Sequence, residues 1–143
     1  MHVIQNAIAP ESELPAERQI IIEAERRQFL KRRWRGSAAD GTEFGFDLAS
    51  RLTAGCVVFH ESGNDYIVRQ LPEVVYQVEC SDPAQAAIIG WKVGNLHLPA
   101  QICGSSIWVL HDPAMTQLLE RETWEFSEPE VIFTPMKSMA HAS

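Results

Sequence analysis

Two copies of one helix-start signal, thirty residues apart, constrain the fold of this chain more than any other feature of its sequence. Asp82-Pro83-Ala84 and Asp112-Pro113-Ala114 each follow a strand-like run. Asp is a favourable N-cap and Pro suits the first helical position, so each tripeptide predicts the beginning of a helix. Gln85 can close a capping box on the first of them. Strand-like runs flank both helices, and this order predicts a ferredoxin-like βαββαβ domain over residues 73–134.

The part of the chain before this domain contains short strand-like runs and turn signals. An alternating run from Phe29 to Arg35 and a return run from Thr42 to Leu48 flank Asp40-Gly41, and Asp-Gly is a strong hairpin signal. Several such strands predict a small β barrel or sandwich. The predicted fold class is α+β, with a small all-β domain over 1–72, the ferredoxin-like domain over 73–134 and a flexible C-terminal tail over 135–143.

One histidine follows the first predicted helix in a defined setting. Gly94-Asn95 predicts the end of the helix, because these two residue types best tolerate left-handed backbone. Pro99 disfavours helical backbone at Leu98 and predicts an extended segment there. Side chains alternate in such a segment, so Leu96 and Leu98 would face the core and His97 the outside. His97 is therefore a candidate metal ligand or general base, with an ordinary half-exposed loop histidine as the alternative.

Charge is unevenly distributed along the chain. The formal net charge is −7, which argues against nucleic acid as the main partner. The segment from Arg26 to Arg35 holds six basic residues and no acid, which leaves −13 for the rest of the chain (−7 minus 6). A basic stripe on an acidic protein favours docking on another acidic protein, with two solvated strand faces as the alternative.

The cysteines and the hydropathy pattern indicate a reduced, cytoplasmic protein without a membrane partner. Cys56, Cys80 and Cys103 are odd in number and widely spaced, which disfavours a disulfide framework and a cysteine zinc site. Buried free thiols are expected instead. No apolar run approaches the roughly 20 residues that a membrane span needs, and no N-terminal apolar run follows a basic start.

The stretch Gly94-Asn95-Leu96-His97-Leu98-Pro99 resembles the motif of the UreE family of urease accessory proteins, which are nickel metallochaperones. The resemblance covers most of the chain. The other segments that match the family pattern are Arg33-Trp34-Arg35, Asp40-Gly41, the run from Phe46 to Val58, Asp82-Pro83, Gln101-Ile102, Ile107, His111-Asp112 and Leu118-Leu119.

The resemblance implies a homodimer without catalytic activity that binds Ni²⁺ and delivers it for urease active-site assembly. One imidazole does not hold a divalent ion, and the resemblance implies that two His97 side chains meet at the dimer axis. His141 in the tail and His111 at a strand end are the further candidate ligands, and Zn²⁺ or Cu²⁺ could take the place of nickel. The implied partners are the urease apoprotein and other urease accessory proteins, including a GTPase. The resemblance implies that the domain over 1–72 binds partners or peptides and that the domain over 73–134 binds metal and dimerises. Nucleic acid and membrane are not expected.

The chain departs from the family pattern at three places. Leu96 stands where the family often has Arg, Cys56 replaces a common Asp, and His141 is the sole histidine of a tail that is often histidine-rich. These departures keep open an alternative function, a protein-interaction scaffold of the same fold that binds no metal. A hydrolase with His97 or His111 as general base is disfavoured, since no nucleophile stands at a defined spacing.

Three large apolar residues of the second domain are expected mainly in its core. They are Ile88, Trp91 and Trp108, and the dimer interface is the alternative for one or more of them. His60, at a strand end, is a weaker candidate ligand.

Overall fold

The computed structural model describes residues 1–136, which belong to two compact units. The first unit is Met1–Leu71 and the second begins at Pro72, one residue before the predicted boundary. The first unit has strands and two short 3₁₀ helices, whereas the second holds both α-helices. The predicted α+β class is confirmed. Most of the predicted tail, with His141, lies outside the described residues.

Six strands of the first unit form two three-stranded sheets. One sheet has the order β1 (His2–Ile4), β4 (Glu43–Asp47), β3 (Arg33–Ser37), and the other has the order β2 (Gln19–Ala24), β6 (Asn64–Gln70), β5 (Val57–Glu61). The β1–β4 and β2–β6 pairs are parallel, and the remaining two pairs are antiparallel.

Alternating residues of both sheets share one apolar core. Its members include Ile22, Phe44, Phe46, Tyr66 and Val68, because successive side chains of a strand point to opposite faces and one face of each sheet is buried. The predicted hairpin between β3 and β4 is confirmed.

The predicted alternating strand from Phe29 is wrong in its first half. Arg26–Leu30 forms a 3₁₀ helix, and β3 begins only at Arg33. A reciprocal capping box holds this short helix, in which the Gln28 side chain accepts the Glu25 N–H at 2.6 Å. These local hydrogen bonds from side chains satisfy backbone N–H groups that would otherwise need a partner strand.

The second unit has the ferredoxin-like strand order. Its elements are β7 (Glu73–Glu79), α1 (Pro83–Gly94), β8 (Ala100–Cys103), β9 (Ser106–Leu110), α2 (Pro113–Arg121), β10 (Phe126–Ser127) and β11 (Glu130–Val131). The sheet order is β10-β7-β9-β8 with antiparallel neighbours throughout, and β11 also pairs with β7. The predicted final strand is therefore split into two short pieces.

One face of this sheet packs against both helices. The core cluster there includes Tyr76, Val78, Ile89, Val109 and Met115. No helix among residues 1–136 is long and apolar enough to cross a membrane.

Both predicted helix caps are present. The Asp82 Oδ1 atom accepts the Gln85 N–H at 2.8 Å, and the Asp112 Oδ1 atom accepts the Ala114 N–H at 2.8 Å. The predicted capping box is displaced by one residue, because the Gln85 Oε1 atom accepts the N–H of Ser81 at 2.6 Å and not that of Asp82.

The second cap gives a measurable prediction. Replacing Asp112 by Ala should lower the free energy of unfolding by about 1 kcal/mol, because an orphan N–H of the first turn loses its acceptor. Urea denaturation followed by circular dichroism measures this change. Asp112→Asn keeps a capping oxygen and should stay close to the wild type; an equal loss for both variants would contradict the capping role.

The three cysteines are free thiols in different environments. Cys56 is buried, as predicted, whereas Cys80 and Cys103 are only half-buried. Burial raises the pKa of the Cys56 thiol, which makes it a poor nucleophile and a poor metal ligand.

Candidate metal site

His97 lies in a turn that continues directly from the last helical turn of α1. The Leu96 N–H donates to the Val93 carbonyl at 3.0 Å and the His97 N–H donates to the Gly94 carbonyl at 3.2 Å. His97 itself has left-handed backbone, with φ at +56°. Asn95 keeps right-handed helical backbone. The sequence placed the left-handed position at Gly94-Asn95, and the structure places it two to three residues later.

The two leucines beside His97 fix the orientation of this turn. Leu96 and Leu98 are both partly buried against the core of the second unit, while His97 is exposed. The predicted separation of the leucines from the histidine is confirmed, but a left-handed turn produces it and not an alternating extended segment. Left-handed backbone costs a residue other than glycine roughly 1–2 kcal/mol, and such residues cluster at functional sites.

The segment after His97 is joined to the end of β9. The Leu110 N–H donates to the Pro99 carbonyl at 3.2 Å, and His111 is the next residue. The start of β8 and the end of β9 meet at one end of the sheet, so His97, which precedes β8, and His111, which follows β9, belong to the same end. The last described residue is also there, since the Met136 N–H donates to the Ala100 carbonyl at 2.8 Å.

His111 already has two partners in the structure. Its Nε2 atom lies 2.7 Å from Glu128 Oε1, and its ring stacks on Tyr76 with centroids 4.3 Å apart. A metal ion at Nε2 would have to compete with the Glu128 carboxylate. Glu128 carried no signal in the sequence, because it lies in the connection between two very short strands.

The outward side of α1 is apolar. Ile88 is 53% exposed and Trp91 is 70% exposed, so the expectation that they belong mainly to the core is wrong. Trp108 is half-buried, and its indole N–H donates to Gln77 Oε1 at 2.9 Å. Ile88 and Trp91 are three residues apart and share one side of the helix. The Asn95 N–H, two residues before His97, donates to the Trp91 carbonyl at 3.2 Å.

One chain does not supply enough ligands in the part that the structure describes. No group of three or more His, Cys, Asp or Glu side chains in residues 1–136 could hold a metal ion. Imidazole sites for nickel or zinc need about four to six donors. A metal site at His97 therefore requires further ligands from another chain or from the residues beyond 136.

His60, the weaker candidate, belongs to a hydrogen-bond network of the first unit. Its Nδ1 atom lies 2.6 Å from Asp65 Oδ1, and the Ser12 hydroxyl donates to Asp65 Oδ2 at 2.6 Å. The hydrogen bonds from Ser12 and His60 lower the pKa of Asp65. These hydrogen bonds join the loop that contains Ser12 to the β5–β6 hairpin.

Comparison with known proteins gives a consistent family assignment. The family model described as "UreE urease accessory protein, C-terminal domain" matches residues 73–143. The chain is 29% identical to the urease accessory protein UreE of Beijerinckia indica over 123 residues, which cover 85% of this chain and 70% of the relative. It is 35% identical to the UreE of a Chelativorans species over 92 residues, which cover 63% and 58%. It is 30% identical to the UreE of Escherichia coli O157:H7 over 121 residues, which cover 78% and 79%.

The matched regions contain the features on which the site depends. The family model includes α1, the turn at His97 and the strands that flank it. The E. coli relative matches over more than three quarters of both chains, which extends the similarity beyond the second unit. This chain belongs to the UreE family of urease accessory proteins.

Proposed function

We propose that this chain is a homodimeric metallochaperone that binds Ni²⁺ between two His97 side chains and delivers it for assembly of the urease active site. One observation carries the proposal. The exposed imidazole of His97 is held on a left-handed turn that follows a helix with an exposed apolar side. The chain acts as a carrier and not as an enzyme, in the cytoplasm.

A second copy of the chain is the natural occupant of the apolar face. In a two-fold dimer the same surface faces itself, so Ile88 and Trp91 of one chain would pack on those of the other. Residues next to the axis are then brought together in pairs. His97 comes three residues after the last residue of this helix. The pairing would therefore supply two imidazoles to one ion.

The C-terminal residues can supply the next donors. Met136 is bonded to Ala100 at the start of β8, three residues from His97. An extended chain spans at most about 3.6 Å per residue, so His141, five residues further on, can lie up to roughly 18 Å from Met136. His141 is therefore within reach of the pair of His97 side chains. His111 is the remaining candidate, provided that Glu128 gives up its Nε2 atom.

Such a site suits the transfer of a metal better than its storage. The C-terminal end of α1 at Gly94 places partial negative charge close to the ion. Imidazole ligands accept Ni²⁺, and also Zn²⁺ and Cu²⁺ in the general order of affinities. In the proposed site each chain contributes one His97 from its turn, and the chain termini contribute further ligands. Such a site leaves coordination positions that a recipient protein can occupy.

The partners follow from the family. The relatives carry the name urease accessory protein, which supports a role of this chain in urease maturation. We propose the urease apoprotein and other urease accessory proteins, including a GTPase, as its partners. Neither nucleic acid nor a membrane is among them.

The stoichiometry of nickel tests the proposal directly. Isothermal titration with Ni²⁺, together with light scattering after size exclusion, should give a dimer that binds one tight ion per two chains. A metal-soaked crystal should show anomalous density between two His97 rings. A monomer that binds one ion per chain at full strength would contradict the shared site.

A scaffold that binds no metal is the second candidate function. The absence of a three-ligand group in residues 1–136 favours it. The two functions differ in nickel-limited cells. Unaltered urease activation by a His97→Ala variant would favour the scaffold, whereas a loss that excess nickel restores would favour the carrier.

A further inference from the structure

A short segment after the last strand joins the two sides of the second unit's sheet at one end. Val131 of β11 pairs with Glu73 at the start of β7. The Thr134 N–H donates to the side-chain Oε1 atom of Gln101 on β8 at 2.7 Å. The sheet order places β9 between β7 and β8. Residues 132–136, the strap, therefore run from β7 to the edge strand β8.

Three contacts of different kinds hold the strap. The Phe133 side chain is completely buried, which anchors the middle of the strap through the hydrophobic effect. Gln101 accepts the Thr134 N–H, and the Met136 N–H donates to the Ala100 carbonyl at 2.8 Å. The strap is therefore a packed part of the second unit, and two of its three contacts are made with the first two residues of β8.

The Ala100 carbonyl is one that β9 leaves without a partner. In an antiparallel pair, neighbouring residues alternate in directing their backbone groups toward the partner strand and away from it. The Pro99 carbonyl accepts the Leu110 N–H at 3.2 Å, so the carbonyl of the next residue, Ala100, is directed away from β9. The strap accordingly holds the outer side of β8, whereas β9 holds its inner side.

The turn at His97 depends on such support. Its left-handed backbone is unfavourable for a residue other than glycine and persists only where the surroundings fix it. On its own, the beginning of a four-residue edge strand would open easily, because few contacts hold it. By closing the outer side of β8 at Ala100 and Gln101, the strap fixes the chain directly after the His97 turn.

We propose that Gln101 is a positioning residue of the metal site, which acts through the strap to hold the His97 turn ready for Ni²⁺. A ligand that is fixed before it binds loses little freedom on binding, and the affinity is higher for that reason. This inference rests on the proposed function of His97 and deepens it, since Gln101 sets the affinity of the site without being a ligand.

The strap could instead serve only the stability of the second unit. Loss of any hydrogen bond in this sheet would then affect nickel binding to the same degree. Ser106 provides the comparison, because its buried hydroxyl donates to Glu79 Oε2 at 2.7 Å. Ser106 pairs with Cys103 at the other end of β8, far along the strand from the His97 turn.

Amide hydrogen exchange of the full chain without metal tests the support of the turn. Gln101→Leu removes the acceptor and should speed the exchange of the Thr134, Met136 and His97 N–H groups by at least about ten-fold. Gln101→Glu keeps an acceptor and Ser106→Ala keeps the strap, so both should stay within about two-fold of the wild type at these groups. Fast exchange of the Thr134 N–H in the unmodified chain, or an unchanged rate at His97 in Gln101→Leu, would overturn the proposal.

Isothermal titration with Ni²⁺ tests the consequence for the metal. Gln101→Leu should weaken binding about ten-fold, because both chains of the proposed dimer lose the hydrogen bond. Gln101→Glu and Ser106→Ala should bind within about two-fold of the wild type. Equal weakening by Gln101→Leu and Ser106→Ala would rule out the positioning role. A wild type that binds no nickel would contradict the proposed function itself, and the exchange rate at His97 would still decide whether Gln101 holds the turn.

Discussion

Replacing His97 by Gly should weaken the binding of Ni²⁺ by at least about 100-fold while the protein stays folded and dimeric. The expected loss is large because, in the proposed dimer, one substitution removes two ligands from the shared site. Glycine suits this position, since it adopts the left-handed backbone at φ +56° without strain. Isothermal titration with Ni²⁺ measures the affinity, and light scattering measures the oligomeric state.

A second substitution at His97 separates the effect of the backbone conformation from the loss of the metal ligand. His97→Ala should lose nickel binding equally, but should unfold about 1 kcal/mol more easily than His97→Gly, because alanine tolerates left-handed backbone poorly. His60→Ala removes an exposed histidine of the first unit and should leave nickel binding unchanged. A His97→Gly protein that retains one full-strength site per dimer would rule out His97 as the ligand.

The order of elements in the second unit could be predicted because its signals are local. Each Asp-Pro pair places a cap and a first helical residue next to each other, and both Asp82 and Asp112 accept an N–H from the first turn. The strand order then follows from the ferredoxin-like connections. The first unit was less predictable, because the 3₁₀ helix Arg26–Leu30 has the residues of a strand and depends on one side-chain cap.

At His97, local sequence signals predicted the exposure of the side chain correctly but the backbone conformation wrongly. Gly94 and Asn95 are the usual residues for left-handed backbone, yet neither adopts it: α1 ends at Gly94, and Asn95 keeps right-handed helical backbone. The burial of Leu96 and Leu98 against the core determines where the chain turns, and His97 takes the strained position between them. The position of the turn therefore depends on tertiary packing, which residue spacing alone does not reveal.

The candidate site was predictable only in part, because it is distributed over distant segments. The bond between Met136 and Ala100 joins residues 36 positions apart, and the Glu128 partner of His111 lies 17 positions away. The exposure of Trp91 was also hidden from the sequence, since a large apolar side chain on an amphipathic helix is usually buried. In the proposed dimer a second chain covers this face, and such a face looks like a core face in a single sequence.

Replacing Trp91 by Glu should convert the dimer into monomers and weaken nickel binding together with dimerisation. Trp91 is 70% exposed, so its replacement removes little from the core of the single chain. At a two-fold interface the substitution places two carboxylates opposite each other in an apolar contact, which costs several kcal/mol. Light scattering should show the mass of one chain, and circular dichroism should show an unchanged fold.

The matched control is Ile8→Glu, which introduces the same charge at an exposed apolar residue of the first unit. It should leave both the dimer and the nickel affinity unchanged. In Trp91→Glu, His97 keeps its own turn and its leucine neighbours, and only the companion histidine is lost. Nickel affinity should therefore become dependent on protein concentration and recover where dimers re-form. A monomeric Trp91→Glu protein with wild-type affinity would show that one chain completes the site by itself, with His141 or His111 in place of the second His97.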